Sequence, residues 1–120
     1  MPNMDNIIDL LQTGIRAEGL RQQAISSNIA NMETPGYQRV EVKFEELLAE
    51  AMDSSSTLDL DDIEPEMFSP HDTPVKSNGN DVNLEAEIGD LVKNSLQHTA
   101  YVRILNKKLA QIENAIDVRS

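Results

Sequence analysis

The chain has 120 residues and a formal net charge of −11, and aromatic residues make up only 3% of it. This length corresponds to a single domain at most, covering residues 1–120. So acidic a chain argues against nucleic acids and anionic membranes as partners, since both bind basic surfaces. The absence of cysteine excludes disulfide and thiol chemistry. We also expect neither a membrane span nor a general secretory signal, because no sufficiently long apolar run is present.

A long amphipathic helix is predicted over residues 5–31. Its aliphatic side chains recur at the spacing of one helical face: Ile7, Ile8, Leu11, Ile15, Ile25 and Ile29. Gly14 and Gly19 weaken the middle of the helix, each by about 1 kcal/mol relative to alanine. The side chain of Glu18 also interrupts the apolar face. We therefore expect a long helix of low intrinsic stability.

The run Asn28-Ile29-Ala30-Asn31-Met32-Glu33-Thr34-Pro35-Gly36-Tyr37 ends this helix. Thr34 precedes proline and is therefore pushed out of the helical region. Pro35 has no amide hydrogen, and Gly36 can adopt the positive φ of a type II turn. Asn28 and Asn31 can bond to free carbonyls of the last turn, while Tyr37 anchors the emerging chain. The residue pattern predicts a helix stop with a fixed exit direction.

The middle of the chain changes composition. Residues 32–52 contain the turn, a strand-like alternation over 40–44 and a short helical segment over 45–52. Between Glu45 and Asp72 the sequence has many acidic residues but no lysine or arginine. We predict that residues 53–80 form an irregular acidic connection that is mobile or becomes ordered only with a partner. A plain surface loop fits this composition equally well.

A second long helix is predicted over residues 83–117. Steps of alternately four and three residues from Leu84 select a row that is aliphatic except at Ser95 and His98. We call the aliphatic members of this row the C-terminal seam: Leu84, Ile88, Leu91, Val102, Leu105, Leu109, Ile112 and Ile116. Such a heptad repeat is typical of coiled coils. The expected fold is mainly α, with the two long terminal helices packing as a coiled-coil hairpin.

The sequence offers only weak signs of metal or catalytic chemistry. A calcium loop could be counted from Asp53 to Glu64, but Leu58 stands where the loop needs glycine. His98 lies in the heptad row without cysteine partners, and it fits a polar register position better than a zinc ligand. Ser95 and His98 share a helix face, but no nucleophile elbow accompanies them. We expect no enzyme, no metal site and no cofactor.

The helix-stop motif resembles the signature of the flagellar axial proteins, the rod and hook subunits of the bacterial flagellum. The residues that carry the resemblance form the candidate assembly motif: Asn28, Ile29, Ala30, Asn31, Thr34, Pro35, Gly36 and Tyr37. The run from Asn80 to Glu87 and the position of Phe44 are similar to those of the small rod subunits. The chain departs from the family at His98, where a tyrosine is usual. Its length leaves no room for the large β domains of hook and distal-rod subunits.

The resemblance implies a structural subunit of the proximal rod of the basal body. Such a subunit would leave the cell through the flagellar type III export apparatus without a cleavable signal. It would assemble in the periplasm through its terminal helices and transmit torque in motility. The implied partners are copies of itself, other rod subunits, and proteins where the inner-membrane ring meets the export gate.

Three alternatives remain open at the level of sequence. The chain could be another proximal rod subunit, or a coiled-coil adaptor or export chaperone that never polymerises. The third alternative, a calcium-binding regulator, depends on the imperfect loop after Asp53. An adaptor would have no evident need for the block from Thr34 to Tyr37, and this favours the rod subunit.

Overall fold

The computed structural model describes residues 4–53 and 63–119. Two long helices enclose a small central region of two short strands and one short helix. The elements in chain order are α1 (Met4–Ala30), β1 (Glu41–Lys43), α2 (Glu45–Asp53), β2 (Glu66–Phe68) and α3 (Leu84–Arg119). The predicted fold class is confirmed. None of the described helices combines the length and hydrophobicity needed to cross a membrane.

Helices α1 and α3 pack side by side in opposite directions. Asn28 near the end of α1 bonds to Glu87 at the start of α3. Gln22 bonds to Asn94 about two helical turns away from that contact. Closer to the start of α1, a Cβ atom on Gly14 would lie only 3.1 Å from the Tyr101 ring. The glycine that weakens α1 by propensity therefore allows an aromatic ring of α3 to approach its backbone. The result is an elongated molecule of 66 × 30 × 15 Å.

The buried face of α1 is narrower and more polar than the aliphatic pattern predicted. Leu11 and Ile25 are buried, but Ile7, Ile8, Ile15 and Ile29 are only half-buried. Small or polar side chains fill much of the interface with the rest of the chain: Thr13, Ala17, Glu18, Ala24 and Asn28. This packing brings the helices close together and places polar groups where hydrogen bonds must satisfy them.

The central region contains a strand that the sequence pattern did not reveal. β2 pairs with β1 in antiparallel register, with Val42 opposite Met67. Within the connection predicted over residues 53–80, the structure adds a short strand at Glu66–Phe68. Three residues after Pro65 are too few to show a periodic pattern. The predicted mobility of this connection stays a prediction.

A small apolar cluster attaches the central region to α1. Phe44 precedes α2 and is buried against Ala17 of α1 and Ile63. Leu10, Leu47 and Leu48 pack around these three residues. Glu45, Glu46 and Glu50 of α2 are exposed, so the apolar contacts of this helix come from its leucines and from the adjacent ring of Phe44.

Candidate assembly site

Two sequence motifs that lie about 45 residues apart meet at one end of the hairpin. The turn after α1 packs against residues 78–81, which lead into α3. Gly36 donates its backbone N–H to the carbonyl of Asn78 over 2.9 Å. Asn80 is buried, and its amide donates at 2.8 Å to the carbonyls of both Asn31 and Thr34. The exit of one terminal helix is thereby fixed to the entry of the other.

Asn28 is the centre of this junction and is fully buried. Its amide nitrogen donates to the carbonyl of Val40 at 2.9 Å and to the Glu87 carboxylate at 3.0 Å. Its amide oxygen accepts from the Val40 N–H at 2.9 Å and from the Tyr37 hydroxyl at 3.0 Å. One side chain thus uses its full hydrogen-bonding capacity to connect α1, the exit segment and α3.

The turn at residues 34–37 has the geometry expected of a type II turn. Gly36 has a φ of 75°, and Tyr37 donates its N–H to the carbonyl of Thr34 at 3.2 Å. Gly79 also has a positive φ, of 85°, and a Cβ atom on it would lie 3.3 Å from the Cα of Gly36. The two glycines therefore permit close contact between the two backbone turns.

The remaining members of the assembly motif fall into two groups. Asn31 and Tyr37 face the molecule: Asn31 donates to the Ser27 carbonyl at 2.8 Å, as expected of a helix-capping side chain. Ile29 is half-buried, whereas Ala30, Thr34, Pro35 and Gly36 are exposed. The buried members hold the junction together, and the exposed members form its outer surface.

Arg39 is the buried cation of the junction, and sequence reasoning missed it. Its guanidinium bonds to Glu41, to Asp72 at 3.3 Å and to the buried carboxylate of Glu87 at 3.2 Å. Its backbone N–H donates to Asp81 at 2.6 Å. A buried carboxylate requires a compensating cation. Glu87 in the first turn of α3 was therefore the residue that could have indicated a buried arginine.

The C-terminal seam is not centred on the contact between α3 and α1. The row of α3 that contacts α1 repeats every seven residues and is mostly polar: Glu87, Asn94 and Tyr101. Beside it, one row of the seam is half-buried and comprises Leu91, Leu105 and Ile112. The next row is accessible, with Ile88, Leu109 and Ile116 exposed by 49%, 45% and 60%. Val102 is half-buried, and Leu84 is exposed. Helix α1 therefore covers only one edge of the seam.

A second buried charge lies in the middle of α1. Glu18 is buried; one of its carboxylate oxygens accepts from Arg21 at 2.7 Å, and the other has no partner among the described residues. Arg21 also pairs with Glu45 at the start of α2. Burial raises the pKa of the Glu18 carboxyl, with Glu45 adding to the effect while Arg21 and His98 oppose it. The charged form of Glu18 is therefore unfavourable in the folded chain.

The substitution Glu18→Gln is expected to stabilise the fold at neutral pH. The folded-state pKa of Glu18 lies above the ordinary value of 4.5, so the folded chain loses stability as pH rises from about 4.5 through that pKa. A neutral glutamine removes this loss and leaves Arg21 paired with Glu45. Urea unfolding of both proteins between pH 4 and pH 8 would measure the difference, which should shrink towards the acidic end. A variant that is less stable at every pH would contradict this assignment.

The described residues that were considered for catalysis or metal binding lie at the surface of α3. Ser95 and His98 are exposed on α3. No three His, Cys, Asp or Glu side chains within residues 4–53 and 63–119 are grouped to hold a metal ion. The candidate calcium loop after Asp53 lies almost entirely outside the described residues.

Comparisons with known proteins bear on the assembly motif and on the chain as a whole. Residues 8–38 match the family model described as flagella basal body rod protein. The chain is 25% identical to the flagellar basal body rod protein FlgB of Bacillus subtilis, over 91% of this chain and 92% of that protein. It is 27% identical to FlgB of Borreliella burgdorferi, over 82% and 86%. It is 24% identical to FlgB of Aeromonas hydrophila, over 95% of each chain.

Proposed function

We propose that the chain is a subunit of the proximal rod, because it is similar to flagellar basal body rod proteins over nearly its whole length. In this role it assembles with copies of itself and with other rod subunits through its terminal helices. The assembled rod transmits torque, and the subunit has no catalytic activity of its own. The junction that Asn28 and Asn80 hold together supports this role, since torque transmission requires a rigid connection between the two helices.

The observation that carries the proposal is the exposed row of the C-terminal seam. Ile88, Leu109 and Ile116 lie on one side of α3 and are about half exposed, although their heptad spacing is that of a coiled-coil contact. An aligned row of exposed aliphatic side chains marks an interaction surface. Small and polar side chains fill much of the contact between α1 and α3, which leaves these aliphatic residues available for a contact between chains.

We further propose a location in the periplasmic part of the basal body, close to the inner-membrane ring. The subunit reaches it through the flagellar type III export apparatus, without a cleavable signal peptide. Proteins at the junction of the ring and the export gate are then its neighbours at the base of the rod. The names of the relatives support a place in the rod, and the finer position is our inference.

The test is the substitution Leu109→Asp in a flagellated strain that lacks its own copy of this gene. Leu109 is exposed in the single chain, so the subunit should fold and be exported. A neighbouring helix would have to bury the new carboxylate, at a cost of several kcal/mol. We expect exported subunits, no rods in isolated basal bodies and no motility.

Asn106→Asp is the matched control, because Asn106 is exposed on α3 away from the seam and gains the same charge. Cells with this variant should swim normally. Normal swimming with Leu109→Asp would exclude the seam as an assembly contact. Retention of the Leu109→Asp chain in the cytoplasm would instead favour recognition by the exporter or a chaperone.

A further inference from the structure

Helix α3 has a second exposed face, on the opposite side of the helix from Ile88 and Leu109. Helical spacing places five of its side chains together: Lys93, Leu96, Arg103, Ile104 and Lys107. We call them the basic helix surface. Leu96 is 67% exposed and Ile104 is 44% exposed. The three cations make no ion pair with the described residues. This face combines unpaired positive charge with uncovered apolar side chains.

The free edge of β2 has the opposite charge. β2 pairs only with β1 in a two-stranded sheet, so its other edge is unpaired within the described residues. Glu66, Met67 and Phe68 form this strand, and Glu64 shortly precedes it. We call these four residues the acidic sheet edge. Met67 is 47% exposed and Phe68 is 40% exposed. Glu64 has one cation nearby, Arg16 at 4.0 Å, and both side chains are more than half exposed.

We propose that the acidic sheet edge of one chain docks on the basic helix surface of a second copy of this chain. Charge complementarity selects this occupant: α3 has no acidic residue between Asp90 and Glu113, and the chain has no lysine or arginine between Glu45 and Asp72. Both surfaces also offer large apolar side chains at their centres. The complementary partner for each surface is therefore present on every copy of the chain.

The two surfaces differ, so the contact is heterologous and need not close into a dimer. Repetition of such a contact generates a ring or a helical array. This inference rests on the proposed function for its place in the flagellum, because a rod is such an array. The inference gives the strand β2 of the central region a role in contacts between copies, in addition to the contacts proposed for the terminal helices.

Cysteine cross-linking can test the contact directly, since the natural chain contains no cysteine. Full-length Met67→Cys and Ile104→Cys chains are purified separately, mixed in equal amounts and treated with a short bismaleimide. We expect the mixed dimer to exceed either homodimer several-fold, because each surface binds the other and not itself. Leu109→Cys replaces Ile104→Cys in the control, since it lies on the opposite side of α3, and it should give only background.

A charge exchange identifies the cause of the contact. Arg103→Glu with Lys107→Glu in the Ile104→Cys chain should reduce the mixed dimer several-fold. The Met67→Cys chain can be given the opposite reversal, Glu64→Lys with Glu66→Lys. Mixing this chain with the reversed Ile104→Cys chain should restore the yield of mixed dimer. The natural pair should also lose yield with added salt, since salt screens exposed charges.

Equal yields at Ile104 and Leu109, or a yield that ignores the charge reversals, would overturn the inference. Cross-linking of Met67→Cys in cells only to a different protein would exclude a second copy as the occupant. These outcomes are independent of the seam: rods that depend on Leu109 but tolerate the Arg103 and Lys107 reversals would refute this contact and leave the proposed function intact.

Discussion

Replacing Arg39 with methionine is expected to destabilise the fold by about 3–5 kcal/mol, because it leaves a buried carboxylate without its cation. The carboxylate is that of Glu87, which is almost completely buried and bonds to both Arg39 and Asn28. Methionine keeps most of the aliphatic volume of the arginine, so the loss measures charge and hydrogen bonding more than packing. Urea unfolding followed by helical circular dichroism would give the free energy of unfolding.

A second substitution separates the unpaired charge from other effects of removing Arg39. Glu87→Gln in the Arg39→Met chain removes the buried charge but keeps an oxygen that accepts from Asn28. The double variant should therefore recover a large part of the stability lost in the single variant. Arg103→Met, at an exposed arginine without an ion pair to the described residues, should change stability by no more than about 0.5 kcal/mol. Equal losses for Arg39→Met and Arg103→Met would show that the junction does not depend on the buried ion pair.

The parts of the fold that follow from local chemistry could be predicted from the sequence. Both terminal helices have a periodic apolar pattern, and the stop after α1 depends on the geometry of Pro35 and Gly36 themselves. Each of these features involves residues within a few positions of one another. The same holds for the heptad spacing of the C-terminal seam, which α3 presents along its length.

The non-local parts could not be predicted in this way. Nothing in the run from Asn28 to Tyr37 shows that its partner is the loop at Asn80, because that contact depends on the antiparallel packing of α1 and α3. The short strand β2 exists only because β1 lies beside it. The side of α3 that faces α1 could not be predicted either. The aliphatic pattern alone suggests that Leu109 should face α1, whereas the polar row that includes Glu87 makes that contact.

The polar contact between the helices has a physical consequence for assembly. Helices joined by hydrogen bonds at Asn28, Asn94 and Glu87 are fixed in register, since each buried polar group must meet a particular partner. Aliphatic contacts are less demanding and would allow neighbouring registers. The chain therefore uses polar groups to define its own hairpin, and aliphatic rows of α3 remain accessible for the contacts with other chains that we propose.

The last prediction concerns Asn28→Asp, which changes one buried NH2 group to an oxygen. The aspartate cannot donate to the Val40 carbonyl, and it places a second carboxylate about 3 Å from that of Glu87. Two buried carboxylates at this separation cannot both remain charged at low cost. We expect a loss of at least about 3 kcal/mol at neutral pH, from the unmet hydrogen bonds and the like charges together. For a small domain this is a large part of the total stability.

Asn106→Asp makes the same chemical change on the exposed face of α3, and it should alter stability by less than about 0.5 kcal/mol. The deficit of Asn28→Asp should also shrink at acidic pH, because a protonated aspartate can donate a hydrogen bond to Glu87 again. Unfolding curves of the two variants at neutral and acidic pH would show both effects. If Asn28→Asp and Asn106→Asp behaved alike at neutral pH, the end of α1 would not be held by Asn28. The rigid junction on which we base the proposed torque transmission would then lose its support. If Asn28→Asp instead lost stability only at neutral pH, the hydrogen bonds of the Asn28 side chain would be what connects the two helices.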